Sequence, residues 1–228
     1  MRRRQLLQAG LALAGGTLAA TGSAAQAGPL PAGLKPGSRI AALAPGTWLD
    51  PADPLLDRLS RRCAAQGWEL VRPPALLQRW RWFAGSDLQR EAAWREAWLD
   101  PQVDALFYVG AGWGSSRVLE QGWRPPPQPR WCVGFSDCSA LLLAQWAAGS
   151  QGGIHAWFGA DPAPWQRLVD LLEHRPVAPL QGTAVQAGLA EGPLVVSNLT
   201  IATSLIGTPW LPPLKGAIVV LEDTGEAP

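Results

Sequence analysis

The 228 residues are 47% apolar and 16% charged, the balance of a globular chain, which excludes disorder and coiled coil and leaves room for one large domain or two small ones. The formal charge of +1 includes Arg2, Arg3 and Arg4. Beyond residue 27 the chain carries 16 basic against 18 acidic groups, and no basic nucleic-acid footprint survives.

Met1-Arg-Arg-Arg opens a run that turns apolar from Leu6 to Ala20, is interrupted by Gly15-Gly16, and reaches Ala25-Gln26-Ala27. This is the charged, apolar, A-x-A order of a secretory signal. Its apolar part falls short of the ~20 residues needed to span a bilayer. The expectation is cleavage after Ala27 and export to the periplasm, with no stable membrane anchor; a cytoplasmic location is the alternative. Arg3-Arg4-Gln5-Leu6-Leu7 has the twin-arginine form of such signals. Residues 28–36, with Pro29, Pro31 and Pro36, read as a linker. Cys63, Cys132 and Cys138 cannot all pair within one chain. They form no C-x-x-C or Cys/His cluster, so buried free thiols are expected and no metal.

From Arg39 to Pro45 the chain is apolar without alternation, as in a strand covered on both faces. A helix is expected over 53–66, a strand over 68–72, and a helix over 87–100 with Asp87 as its cap and Trp94 and Trp98 on one core-facing side. Arg79-Trp-Arg-Trp82 between them reads as a surface loop. Then come a strand at 103–109, a helix at 115–121, a strand at 130–135, a helix at 137–148, a strand around His155 and a helix around 165–174. Such alternation indicates an α/β domain over 37–178, a parallel sheet with helices on both faces. Ligands of these folds sit beyond the carboxyl ends of the strands. After Pro176, Pro179 and Gly182 the pattern shifts to shorter strand-like pieces near 194–196 and 217–221. These mark the start of a β-rich second domain, 183–228, that reads as incomplete.

Two strand ends carry chemistry. The fourth strand runs into Gly134-Phe-Ser136-Asp137-Cys138 and then a helix, which thrusts the serine out at the top of the sheet with helix N-terminal N–H groups behind it. Gly134 and Cys138 occupy the positions where strand and helix must come close; a plain helix cap is the alternative role for Ser136. The third strand ends in Gly110-Ala-Gly112-Trp113-Gly114, glycines that let backbone N–H groups point at an anion but lack G-x-G-x-x-G spacing. A serine nucleophile needs a base, and the sequence holds two histidines. His174 reads as a solvated residue late in a helix, whereas His155 stands at an expected fifth strand and is placed either in the same cleft or in a structural role. Glu222-Asp223 closes the last apolar strand, with Glu226 four residues on.

At these residues the chain resembles the LD-carboxypeptidase family of serine peptidases, muramoyltetrapeptide carboxypeptidases and their microcin-immunity relatives. The resemblance is carried by Ile40–Pro45, Phe83-Ala-Gly-Ser-Asp87, Asp100-Pro-Gln-Val-Asp104, Gly112-Trp-Gly114, Gly134-Phe-Ser136-Asp137, His155, Ser197-Asn198-Leu199, Gly207-Thr-Pro-Trp210 and Leu221-Glu222-Asp223, in order. It implies a flavodoxin-like serine-bearing domain and a β-rich partner domain. It implies Ser136 as nucleophile, Glu222 as the residue orienting the base, and backbone N–H groups of Asp137 and Gly112 as oxyanion hole, with Trp113, His155 and Asn198 around the substrate cleft. The implied substrate is a peptidoglycan tetrapeptide losing its terminal D-alanine through an acyl-enzyme, with no metal or cofactor, no nucleic acid, and a homodimer as a candidate assembly. Where the family has Arg and Gly this chain has Gly110 and Ala111, and after His155 it has Ala156-Trp157 where the family has Gly-Pro. The family's catalytic histidine lies well beyond the Leu-Glu-Asp strand, so a chain truncated before that base is expected. A muropeptide-binding protein without turnover and His155 as substitute base are the competing readings.

Overall fold

The computed structural model describes residues 28–225; the expected export signal and Glu226 lie outside the described residues. Five strands, β1 (Arg39–Leu43), β2 (Glu69–Val71), β3 (Ala105–Tyr108), β4 (Trp131–Gly134) and β5 (Gly153–His155), form a sheet in the order β2-β1-β3-β4-β5, and every neighbouring pair is parallel. Around it lie α1 (Leu55–Ala65), α2 (Asp87–Leu99), α3 (Ser115–Leu119), α4 (Ser139–Ala147) and α5 (Pro162–Leu172). Successive side chains of a strand point to opposite faces, and here both sets are apolar. Ile40, Ala42, Phe107 and Val133 pack with α1 and α5, whereas Ala41, Leu43, Leu106 and Cys132 pack with α2, α3 and α4. The unalternating runs of the sequence are the direct result, and the parallel sheet with helices on both faces is as expected.

Trp94 and Trp98 are core residues, each 1% exposed, and meet Trp123 edge-on. The buried indole N–H of Trp94 donates to the Tyr108 hydroxyl at 2.9 Å. All three cysteines are buried and free; burial pushes the Cys63 and Cys132 thiols up to about 12. The loop from Arg79 to Trp82 is exposed, as expected, with the Arg79 guanidinium over the Trp48 ring.

Two local assignments change. The cap of α2 is Ser86 and not Asp87: the Ser86 hydroxyl accepts the Gln89 N–H while the Gln89 side chain accepts the Ser86 N–H, a reciprocal box. Asp87 is thereby free to bind two arginines. The helix expected over 137–148 is also divided, a 3-10 turn (Ser136–Cys138) preceding α4.

Beyond α5, residues 175–193 hold neither helix nor strand. A second, small sheet follows, β6 (Leu194–Asn198) beside β7 (Ile218–Glu222), in register from Leu194↔Ile218 to Asn198↔Glu222. The pair is parallel, which requires a crossover. That crossover includes a helix the sequence reading lacks, α6 (Leu199–Ser204), capped by the Asn198 side chain on the Ile201 N–H. Val195 and Leu205 are buried in the same apolar cluster as Leu141 and Leu143 of α4, so this second sheet rests on the serine-bearing helix.

Candidate active site

The carboxyl ends of β1, β3, β4 and β5 lie along one edge of the sheet, and each delivers a piece of the site. Between β1 and β3 the strand order reverses, the place where such sheets bind ligands. The two loops there are stitched together, Gly46 N–H to Gly110 O at 3.0 Å and Thr47 N–H to Ala111 O at 3.1 Å. A Cβ on Gly110 would lie 2.5 Å from the Ala44 Cβ and 2.8 Å from the Thr47 carbonyl oxygen. Glycine at this position is what lets the two loops approach this closely. Gly112 has φ +102°, and a Cβ on it would collide with the Thr47 hydroxyl. The next ring, Trp113, is half exposed and stands edge-on against Phe83 at 4.6 Å.

At the end of β4, Ser136 adopts φ +54°, a left-handed conformation that costs a non-glycine residue about 1 kcal/mol or more. Something must hold it there, and both of its backbone polar groups are held by side chains. Its N–H donates to His155 Nε2 at 3.2 Å, and its carbonyl accepts the Ser139 hydroxyl. The Ser139 oxygen in turn accepts the Asn198 N–H at 3.0 Å, which ties the turn to the end of β6. Close approach of strand and helix is enforced by Gly134, on which a Cβ would lie 2.8 Å from the Cys138 Cβ and 3.1 Å from the Tyr108 Cβ.

The residue after the serine does more than offer an N–H. Asp137 is 2% exposed, and its Oδ2 accepts both the N–H of Ser115 at 2.9 Å and its hydroxyl at 2.6 Å. The serine turn and the glycine loop after β3 are therefore one unit. Burial lifts the Asp137 carboxyl above the usual carboxylate range, with the Ser115 hydrogen bonds opposing. Arg90 braces the same loop from below. Its guanidinium, 3% exposed, donates to the carbonyls of Gly114 (2.8 Å) and Pro45 and pairs with Asp87. Asp87 also binds Arg117 at 2.6 Å, and chiefly that bond holds its carboxyl below the usual range.

From the small sheet, Glu222 brings Oε1 to 3.7 Å from His155 Nε2. That oxygen is buried and has no hydrogen-bond partner among the described residues. Asn198 sits beside it, its side-chain amide donating to the Glu222 carbonyl at 3.3 Å. His155 has a side chain 6% exposed, and burial depresses its pKa, which favours the neutral ring.

Of the residues singled out in the sequence, Ser136, His155, Glu222 and Asn198 come together, and Asp137 fastens Gly112 and Trp113 to them through Ser115. His174 stands apart, exposed at the end of α5 with its ring edge-on to Trp131. The sequence assigns no role to Arg90, Ser115 or Ser139. Apart from the Arg90–Asp87 pair three residues apart, their partners are backbone groups or lie 22 or more residues away.

Comparison with known proteins bears on this arrangement. Residues 40–156 match the LD-carboxypeptidase N-terminal domain and residues 191–228 the LD-carboxypeptidase C-terminal domain. A Synechocystis protein bearing a carboxypeptidase name is 36% identical over 206 residues, 88% of this chain and 67% of its own. The murein tetrapeptide carboxypeptidase of Pseudomonas aeruginosa is 28% identical over 209 residues, 82% of this chain and 67% of its own. This chain thus spans about two thirds of the length of these relatives. Among solved structures, an MccF-like protein of Bacillus anthracis superposes with a TM-score of 0.71 at 22% identity, over 85% of this chain and 69% of its own. The muramoyltetrapeptide carboxypeptidase of Oxalobacter formigenes superposes at 0.64 and 22%, over 83% and 67%. The structural likenesses carry the fold, and the two domain matches in chain order, with the Synechocystis relative, carry descent: the chain belongs to the LD-carboxypeptidase family.

Proposed function

We propose that the chain carries the serine chemistry of an LD-carboxypeptidase acting on peptidoglycan tetrapeptides, and that residues 1–27 direct its export. The observation that carries this reading is Ser136 itself, a serine held at φ +54° between a buried strand and a helix, at the ligand-binding edge of the sheet. The substrate class follows from the murein and muramoyltetrapeptide names of the relatives.

In this reading Ser136 Oγ attacks the carbonyl that joins an L-centre to the terminal D-alanine. The oxyanion is met by the Asp137 N–H and by the glycine loop after β3, a type of stabilisation worth about 3 kcal/mol per donor. The C–N bond breaks, D-alanine leaves with the proton taken from the serine, and water hydrolyses the resulting ester to restore Ser136. The unpartnered Glu222 Oε1 is the acceptor that orients the imidazole N–H of the base. Neither His155 nor His174 matches the family's base, which lies past the Leu221-Glu222-Asp223 strand.

The test is D-alanine release from a purified tetrapeptide by the wild-type chain and by Ser136→Ala. Release that Ser136→Ala abolishes supports the reading. Equal, background-level release with tetrapeptide binding retained overturns it in favour of a muropeptide-binding protein without turnover.

A further inference from the structure

We propose that His155 is a positioning residue, whose unprotonated Nε2 holds the Ser136 backbone N–H and thereby keeps the serine in its left-handed conformation. The proposal rests on Ser136 being the nucleophile. It assigns His155 a different task from the proton-accepting base of a triad, in which the imidazole would face the serine hydroxyl.

The geometry that carries it is the double claim on one atom. Ser136 N–H lies 3.2 Å from Nε2 and needs its lone pair. Glu222 Oε1 lies 3.7 Å from the same atom, is buried with no hydrogen-bond partner among the described residues, and can accept from a proton there. A neutral ring protonated on Nδ1 satisfies Ser136. An imidazolium satisfies Glu222 and releases Ser136. The ring is fixed by Phe135, whose ring centroid stands 5.0 Å away, and by the pairing of Gly134 with His155 across β4 and β5. With the serine carbonyl held by Ser139, loss of the His155 bond leaves a strained residue tethered at one end only.

Burial of the imidazole holds its pKa down, and the charged groups near it are few. From β7 comes Glu222, while Asp137 of the serine turn is engaged by Ser115. On the α5 side Asp161 and Arg167 line the same cavity of about 410 Å³ as His155; the Asp161 side chain accepts the Ala163 N–H and the Arg167 side chain donates to the Ala178 carbonyl. Acid therefore transfers Nε2 from Ser136 to Glu222, and nucleophile reactivity falls as His155 protonates.

Two measurements on the full chain test this. In the 15N-labelled protein, the result expected is a neutral His155 tautomer protonated on Nδ1 and a Ser136 amide whose shift follows the His155 titration. His155→Ala accelerates exchange of that amide by about tenfold or more. His155→Gln, whose side-chain oxygen can accept the same N–H, restores protection. A neutral tautomer protonated on Nε2, or a Ser136 amide equally protected in wild type and His155→Ala, overturns the proposal. Labelling with a fluorophosphonate reads reactivity. Loss of label in Ser136→Ala checks the nucleophile assignment by itself, and its persistence overturns that assignment while leaving the amide result to stand alone. His155→Ala is expected to slow labelling by about tenfold or more at a temperature where it remains folded, with His155→Gln recovering most of the rate and losing the acid-side decline. Equal abolition of labelling by both variants, with the Ser136 amide still protected in His155→Gln, overturns the proposal and makes His155 the base.

Discussion

Asp137 Oδ2 accepts the N–H and the hydroxyl of Ser115 together, at 2.9 and 2.6 Å, so a single carboxylate oxygen joins the turn that bears Ser136 to the loop that bears Gly112. Two loops from different strands keep a fixed spacing only where something ties them, and this oxygen does so. Asp137→Ala leaves two buried donors unpaired and is expected to cost about 1–3 kcal/mol of stability. Asp137→Asn, which keeps an acceptor oxygen, is expected to cost less. Urea denaturation of the two variants checks the order.

The same carboxyl predicts a pH dependence. Burial raises its pKa in the folded state above the ordinary carboxylate value, so the folded chain binds the proton more tightly than the unfolded one. Stability contributed by this group therefore declines as pH rises through the window between the ordinary and the raised value. Asp137→Asn lacks that decline, so its stability relative to wild type improves from acid to neutral pH. Melting temperatures of both proteins across that range test the sign; parallel curves would refute it.

At Gly134 the strand and the helix that flank the Ser136 turn meet at van der Waals limits. Gly134→Ala places a methyl 2.8 Å from the Cys138 Cβ, and overpacking of this kind costs about 1–3 kcal/mol. Since neither backbone can yield alone, the serine is expected to shift as well. A lowered urea midpoint accompanied by slower fluorophosphonate labelling is the expected pair of results.

Arg90 is the buried cation beneath the glycine loop. Replacing it by Ala leaves the Pro45 and Gly114 carbonyls without their donor and Asp87 with Arg117 alone, at a cost on the order of 3–5 kcal/mol. Arg90→Lys keeps the charge but has no fork with which to reach two carbonyls and a carboxylate at once. Thermal unfolding should place Arg90→Lys between wild type and Arg90→Ala.

The strands were legible because burial on both faces leaves no polar residue to interrupt them, as in Ile40-Ala-Ala-Leu43 and Ala105-Leu-Phe-Tyr108. The serine turn was legible because a small residue at Gly134 and another at Cys138 flank it at fixed spacing. What stayed hidden is long-range or backbone-directed. Nothing local to His155 announces that its ring meets an amide 19 residues away. Nothing local to Arg90 announces two carbonyl partners in different loops, and Asp87 passed for a cap because Ser86, which caps, precedes it by one residue. The helix α6 went unread since its Thr-rich sequence, Leu-Thr-Ile-Ala-Thr-Ser, favours strand by propensity and is helical by virtue of the Asn198 cap and of Leu205 packed on α4.

The pairing of β6 with β7 sets Asn198 opposite Glu222. Side chains on a strand alternate between faces, so a slip of one residue in this ladder would send the Glu222 carboxylate to the far side, away from His155. Among the described residues five pairs hold that alignment, and Ile218 to Leu221 on β7 are all more than a third exposed. The imidazole and the carboxylate meet only while a short, thinly covered ladder keeps count: in this chain, strand register is a chemical variable.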